Sequence, residues 1–216
     1  AAAGLAGTLL VGIATRPLAG MVYAATQALP VVVLTYLAYL NRPVSSAGSA
    51  PQVEWYPVGR LVSWTAAMSG ALAVGSLFAM GGDVEAIRAR LKPIIELIVT
   101  KQLPSLGQRQ LSPADMDGLT EVALYILPAA SAVLYMSGLL FNLWVAARIT
   151  QTSGNLARPW PDLPAIQVPA GTALALAAAT ADTFLGGLPA LVASGFAGAI
   201  YFAYVLIGLA IAHYLG

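Results

Sequence analysis

Hydrophobic positions in this chain come in long unbroken runs, without the alternation that marks half-buried strands. Stretches free of charged residues occupy 1–15, 17–41, 61–82, 122–147, 163–181 and 183–212. A helix needs about 20 mostly apolar residues to cross the hydrocarbon of a bilayer. The runs therefore predict six spans, at roughly 1–15, 18–40, 59–80, 119–147, 166–184 and 189–214. The last two are separated by Gly186-Gly187-Leu188-Pro189, a sequence suited to a tight turn. Small residues cluster within the runs, as in Gly70-Ala71-Leu72-Ala73-Val74-Gly75 and Gly195-Phe196-Ala197-Gly198-Ala199. Lipid supplies no hydrophobic drive for helices to associate, so such clusters predict close backbone packing. Ala2, Gly4 and Ala6 offer a similar smooth surface, for intramolecular packing or for a partner helix.

One segment has a different pattern. In residues 83–103, Val84, Ile87, Leu91, Ile94, Ile95, Ile98 and Leu103 recur at helical spacing, with Asp83, Arg88, Lys92 and Glu96 on other faces. This predicts an interfacial amphipathic helix, bent or interrupted at Pro93, within an extramembrane insertion at 83–118. The acids nearly cancel the bases, which favours a solvated charged face. Ser112-Pro113-Ala114-Asp115 carries the signals of a helix start: a cap, a first-turn proline and an early acid. The span after it is expected to begin outside the bilayer.

The stretch "LLFNLWVAARITQTSGNLARPWPDLPAIQVP", residues 139–169, leaves an apolar medium and turns stiffly. Arg148 ends a span and can extend to lipid phosphates, and Trp160 suits the headgroup belt. Pro159, Pro161 and Pro164 favour an extended, low-entropy connection. Arg148, Arg158 and Trp160 are accordingly expected to be interfacial anchors.

Composition sharpens the picture. Hydrophobic residues make up 59% of the 216 and charged residues 9%, against about 25% charged in a soluble domain. So few charges cannot cover a water-facing surface, and lipid must be the main solvent. A net charge of +1 offers no basic face for nucleic acid. With no cysteine there is no disulfide, thiolate metal site or cysteine nucleophile. His213 is the one histidine, at the end of the last span. No catalytic constellation, metal site or cofactor loop is expected, and the chain does not read as an enzyme. Its start carries no basic n-region of a signal peptide, and the expectation is a single integral membrane domain over 1–216, part of a longer chain. Arg16, Arg88, Arg90, Lys92, Lys101 and Arg109 face one side in this topology, and Arg42, Arg60, Arg148 and Arg158 the other. The split is too even to orient the chain.

Polar groups inside apolar runs are costly and therefore informative. Asp182 interrupts the stretch from 163 to 212, and Asn142 lies within the fourth span. Gln27, near Pro30, is similar. In the six-span topology Arg16, the 81–118 segment and the 182–189 turn share one membrane face. Arg16 and Asp182 would then orient a small polar or zwitterionic solute, with Asn142 lining the cavity. The bland alternatives are solvated turn charges for the first two and an interhelical hydrogen bond for Asn142.

Three stretches, "LPAASAVLYMSGLLFNLWVAARI", "LARPWPDLPAIQVP" and "YFAYVLIGLAIAH", resemble the YybS-like predicted membrane proteins, a bacterial family of unknown function. The likeness lies in residues 127–213, and its most specific element is the RPWP motif. That family is loosely similar to the substrate-binding S components of energy-coupling-factor transporters, six-helix bundles that bind a small molecule and couple to a membrane partner. The resemblance implies a multi-pass protein of the bacterial inner membrane, with the 148–162 loop and both visible ends in the cytoplasm. It implies a solute-binding or transport component, whose partners are the lipid bilayer, other membrane subunits and a small polar solute. A non-catalytic accessory or scaffold subunit of a membrane complex is the alternative. The expected fold is an all-α polytopic transmembrane bundle with one interfacial amphipathic helix.

Overall fold

The computed structural model describes residues 2–44, 52–102, 111–162 and 166–215. Leu103, Arg109 and Pro164 lie outside them. The described chain is helical apart from one short hairpin and its connections. Helices α1 (Ala2–Ala14), α2 (Pro17–Tyr23) and α3 (Leu29–Tyr39) lead to strands β1 (Asn41–Val44) and β2 (Gln52–Trp55). Helices α4 (Val58–Met80), α5 (Val84–Gln102), α6 (Pro113–Thr152), α7 (Gly171–Asp182) and α8 (Gly187–Leu215) follow.

Among the described residues, four helical segments are long and apolar enough to cross a membrane: Pro17–Tyr39, Val58–Met80, Pro113–Thr152 and Gly187–Leu215. The chain is thus an all-α, membrane-embedded protein. The expected spans at 1–15 and 166–184 fall short of that length. Helix α1 has 13 residues, and α7 has 12 before a 3₁₀ turn at Thr183–Leu185. At 1.5 Å per residue each covers about 20 Å, against about 30 Å of hydrocarbon.

The chain divides into two compact units, one of residues 1–68, 136–172 and 203–216, the other of 69–135 and 173–202. In the first, α1 runs back along the next span through small residues. Gly4 meets Ala28, Gly7 meets Tyr23 and Gly12 meets Gly20; a Cβ on Gly20 would lie 2.8 Å from the Gly12 Cα. Between α2 and α3 the helix widens into a π-turn at Ala24–Ala28, where the Leu29 N–H donates to the Ala24 carbonyl. Pro30 explains it: the ring would strike the carbonyl four residues back, and a wider turn moves that group aside. The β1–β2 hairpin pairs Arg42 with Glu54 on its exposed side.

In the second unit, α4 and α8 approach through Gly70 and Gly195, and Gly198 packs on the Ala129 backbone of α6. This is the close packing expected from the small-residue clusters. The apolar core joins Leu77, Ile87, Leu91, Leu124 and Leu191. Helix α5 is therefore part of the packing, and Ile87, Leu91 and Val99 are its buried positions. Ile94 and Ile98, expected on the same stripe, are exposed. The helix also runs unbroken through Pro93. Pro93 is solvent-facing, as is Ala89 four residues before it, so the carbonyl left without a donor can be hydrated.

The 40 residues of α6 extend about 60 Å, twice the hydrocarbon thickness. Its start is a reciprocal cap. The Asp115 N–H donates to Ser112 Oγ (3.2 Å), and Asp115 Oδ2 accepts from the Ser112 N–H (2.9 Å). The first turns run antiparallel to α5, joined by Arg88–Glu121 (2.9 Å) and Lys92–Asp117 (2.6 Å) ion pairs.

Candidate functional site

Helix α7 is Gly-Thr-Ala-Leu-Ala-Leu-Ala-Ala-Ala-Thr-Ala-Asp, and its geometry follows from that composition. Alanine gives helix stability without bulk. Its chain reverses at Gly186 (φ 74°) and Gly187 (φ 64°), left-handed conformations that glycine adopts without strain. Pro189 then sits in the first turn of α8, where its missing N–H costs nothing.

The small side chains of α7 leave the two helices incompletely filled. A groove of about 570 Å³ runs between Ala175, Ala179 and Asp182 on one side and α8 on the other. Positions 175, 179 and 182 are spaced four and three residues apart, so they share one helix face. From α8 come Leu188, Pro189, Val192, Ala193, Phe196 and Ile200. Every lining residue but Asp182 is apolar.

Asp182 is exposed at the C-terminus of α7. A carboxylate there faces the negative end of the helix dipole, an arrangement unfavourable by roughly 0.3–1 kcal/mol. Among the described residues it has no ion-pair partner and no side-chain hydrogen bond. Its negative charge is thus free for an external cation.

The other candidate residues lie elsewhere. Arg16 occupies the exposed turn between α1 and α2, where its carbonyl accepts from Ala19 and Gly20 N–H groups, and it is not among the groove residues. Asn142 is exposed on α6, between Phe141 and Trp144, and neither lines this groove nor bonds to a described neighbour. Around Asn142 the span from 122 to 147 is almost wholly apolar, so its sequence gives the amide no preferred face. Gln27 is likewise exposed.

Of the expected anchors, Arg158 is partly buried and bonds to backbone carbonyls, while Arg148 is exposed and lies over tryptophan rings. Arg158 donates to the carbonyls of Ala38 (3.0 Å) and Tyr56 (2.8 Å). Ala38 belongs to the last turn of α3, whose carbonyls have no intrahelical partner. One guanidinium thereby ties the end of α3 to the start of α4, and burial pushes its pKa below the ordinary arginine value. Arg148 lies 4.5 Å from the Trp160 ring centroid and 5.9 Å from that of Trp144, both within cation–π range. Trp160 thus serves first as a stacking surface for Arg148.

Phe196, Val192 and Ile200, which form much of the groove, carried no signal in the sequence, being apolar residues in an apolar span. Ala175, Ala179 and Asp182 did carry one: small residues in line with a lone acid. Comparison of the chain with family models, with curated proteins and with solved structures finds no match in any of the three. Among the described residues no cluster of three His, Cys, Asp or Glu could hold a metal ion.

Proposed function

We propose that this is a non-enzymatic, multi-pass membrane protein that binds a small solute in the α7–α8 groove, as a solute-binding or transport component. The solute has an apolar body and a cationic end. One observation carries this reading: a single unpartnered carboxylate, Asp182, on an otherwise apolar groove of about 570 Å³. That volume falls in the range of small-molecule sites, roughly 300–1,000 Å³. A zwitterion would need a cation beside Asp182, and the groove residues include none, so a simple amine fits better. The resemblance of residues 127–213 to YybS-like proteins, and through them to S components, supports the same role and a bacterial inner-membrane location.

Thermal unfolding in lipid nanodiscs tests the reading, with n-hexylamine, n-hexanol and hexanoate as matched probes. A ligand bound only by the folded state, at a hundredfold excess over its Kd, stabilises by about 2.7 kcal/mol. The amine should raise Tm, and Asp182→Asn should remove the rise. Equal shifts with the alcohol, or an amine shift that survives Asp182→Asn, would contradict it.

Asn142 favours a second reading, the accessory subunit. An exposed amide on a span finds its best partner in another helix, at about 0.6–2 kcal/mol per interhelical hydrogen bond. Disulfide trapping of Phe141→Cys in native membranes, lost on adding Asn142→Leu, would support it over solute binding.

A further inference from the structure

Helix α5 has a second apolar face, adjoining the one it buries. At 100° per residue, Pro93, Leu97, Arg90, Lys101 and Ile94 fall within a sector of about 100°, and Ile98 lies past its edge, alongside buried Ile87. Ile94 is 46% exposed, Leu97 51% and Ile98 36%. The acids of the helix lie elsewhere: Glu85 and Glu96 fall on the opposite side by the same geometry. The remaining bases are also accounted for. Arg88 is held by Glu121 and Glu85, and Lys92 by Asp117.

That leaves Arg90 and Lys101 as the cations of this face, and among the described residues neither has an acidic partner. Arg90 donates one N–H to the Ala79 carbonyl at the end of α4, with other donors to spare. Helix α5 carries four bases and two acids, which separate in space, while Asp83, just before it, accepts from the Ala86 N–H. Acids face one way, two free cations and three large aliphatic side chains the other.

We propose that this face of α5 docks on a bilayer surface rich in anionic phospholipid. Arg90 and Lys101 engage lipid phosphates, and Ile94, Leu97 and Ile98 enter the boundary between headgroups and acyl chains. Position along the chain supports a membrane occupant. Only three residues separate α5 from Met80, the end of a helix long enough to span. The interleaving of cations with aliphatic groups matches the phosphate–glycerol boundary, where both chemistries meet within one helix diameter. Each basic residue near an anionic leaflet is worth about fivefold in partitioning. The proposal is independent of the α7–α8 groove.

The chain has no native cysteine, so a single probe can be placed at will. The full protein carrying Leu97→Cys labelled with an environment-sensitive fluorophore would be reconstituted in phosphatidylcholine vesicles, with and without about one third phosphatidylglycerol. Glu96→Cys serves as the opposite-face control, and unaltered thermal unfolding reports that each variant is folded. The Leu97 probe should shift blue and be quenched by shallow spin-labelled lipid, several-fold more with phosphatidylglycerol present, while the Glu96 probe stays in water. Lys101→Gln, whose side chain makes no hydrogen bond to a described residue, should remove much of the lipid-charge dependence, and Arg90→Gln with it the rest. Three results would overturn the proposal. The Leu97 probe could stay aqueous in both vesicles. It could be quenched equally with and without anionic lipid. It could shift blue without lipid quenching, the mark of a protein partner.

Discussion

The connection around Arg158 and the turn around Asp182 treat a lone charge beside apolar helices in opposite ways. Arg158 is half-buried, and its guanidinium donates to the Ala38 carbonyl at the end of α3 and to the Tyr56 carbonyl just before α4. Asp182 is exposed, sits at the unfavourable end of its helix and has no cationic neighbour among the described residues. The first charge holds the fold together; the second contributes nothing to it and opposes the local dipole. A charge that a fold does not use, placed on a groove the fold does not fill, is where a ligand has something to gain.

The largest test of this contrast concerns the segment that follows Arg158. Gly59, in the first turn of α4, lies against the backbone of Gln167 so closely that any Cβ would collide with its carbonyl. Gly59→Ala should therefore destabilise by about 3 kcal/mol, the upper range for overpacking. Gly75, on the same helix with open space around it, should instead gain up to about 1 kcal/mol on Gly75→Ala. Thermal unfolding of the two variants reads both signs.

Substituting the two charges sharpens the comparison directly. Arg158→Met leaves two carbonyls without their charged donor and should cost about 2 kcal/mol. Asp182→Asn removes the conflict with the α7 dipole and should stabilise by about 0.5 kcal/mol. Equal losses in both variants would mean that Asp182 is a structural residue after all.

The smallest effect is the alkaline behaviour of Lys92. Its hydrogen bond to Asp117 holds its pKa above the ordinary lysine value of 10.5. A raised folded-state pKa adds stability that is complete below the unfolded value and is lost as pH rises through the folded one. Stability of the native protein should thus fall slightly more steeply above pH 10.5 than that of Lys92→Met. Both partners are exposed, so the difference should be small.

Four of the six expected spans, the α6 cap and the α7–α8 turn were legible because each depends on local sequence. The uncharged runs, the Ser112–Asp115 start and the Gly186–Gly187 reversal needed no tertiary information. The β1–β2 hairpin was missed because β1 holds Pro43 and the Gln-Val-Glu-Trp alternation of β2 is only four residues long. On α5 the expected stripe holds at Val84, Ile87, Leu91 and Ile95 but not at Ile94 and Ile98, which are exposed. Apolar residues occupy two faces, and periodicity cannot tell which of them meets the core. Asn142 could not be oriented because its span is apolar all round and has no moment to phase it. Arg158 found its carbonyls 102 and 120 residues away, a distance no local pattern bridges. Asp182 was singled out from sequence by its cost in lipid; its groove became visible only once Ala175 and Ala179 stood opposite α8.

If the groove beside Asp182 takes up a cationic solute, a cysteine in the groove wall will be shielded by it. Ala179→Cys places one thiol in a chain that otherwise has none. n-Hexylamine should slow its alkylation in nanodiscs several-fold, n-hexanol far less, and Asp182→Asn should abolish the protection. Alkylation slowed equally by amine and alcohol, or untouched by both, would contradict uptake of a cationic solute.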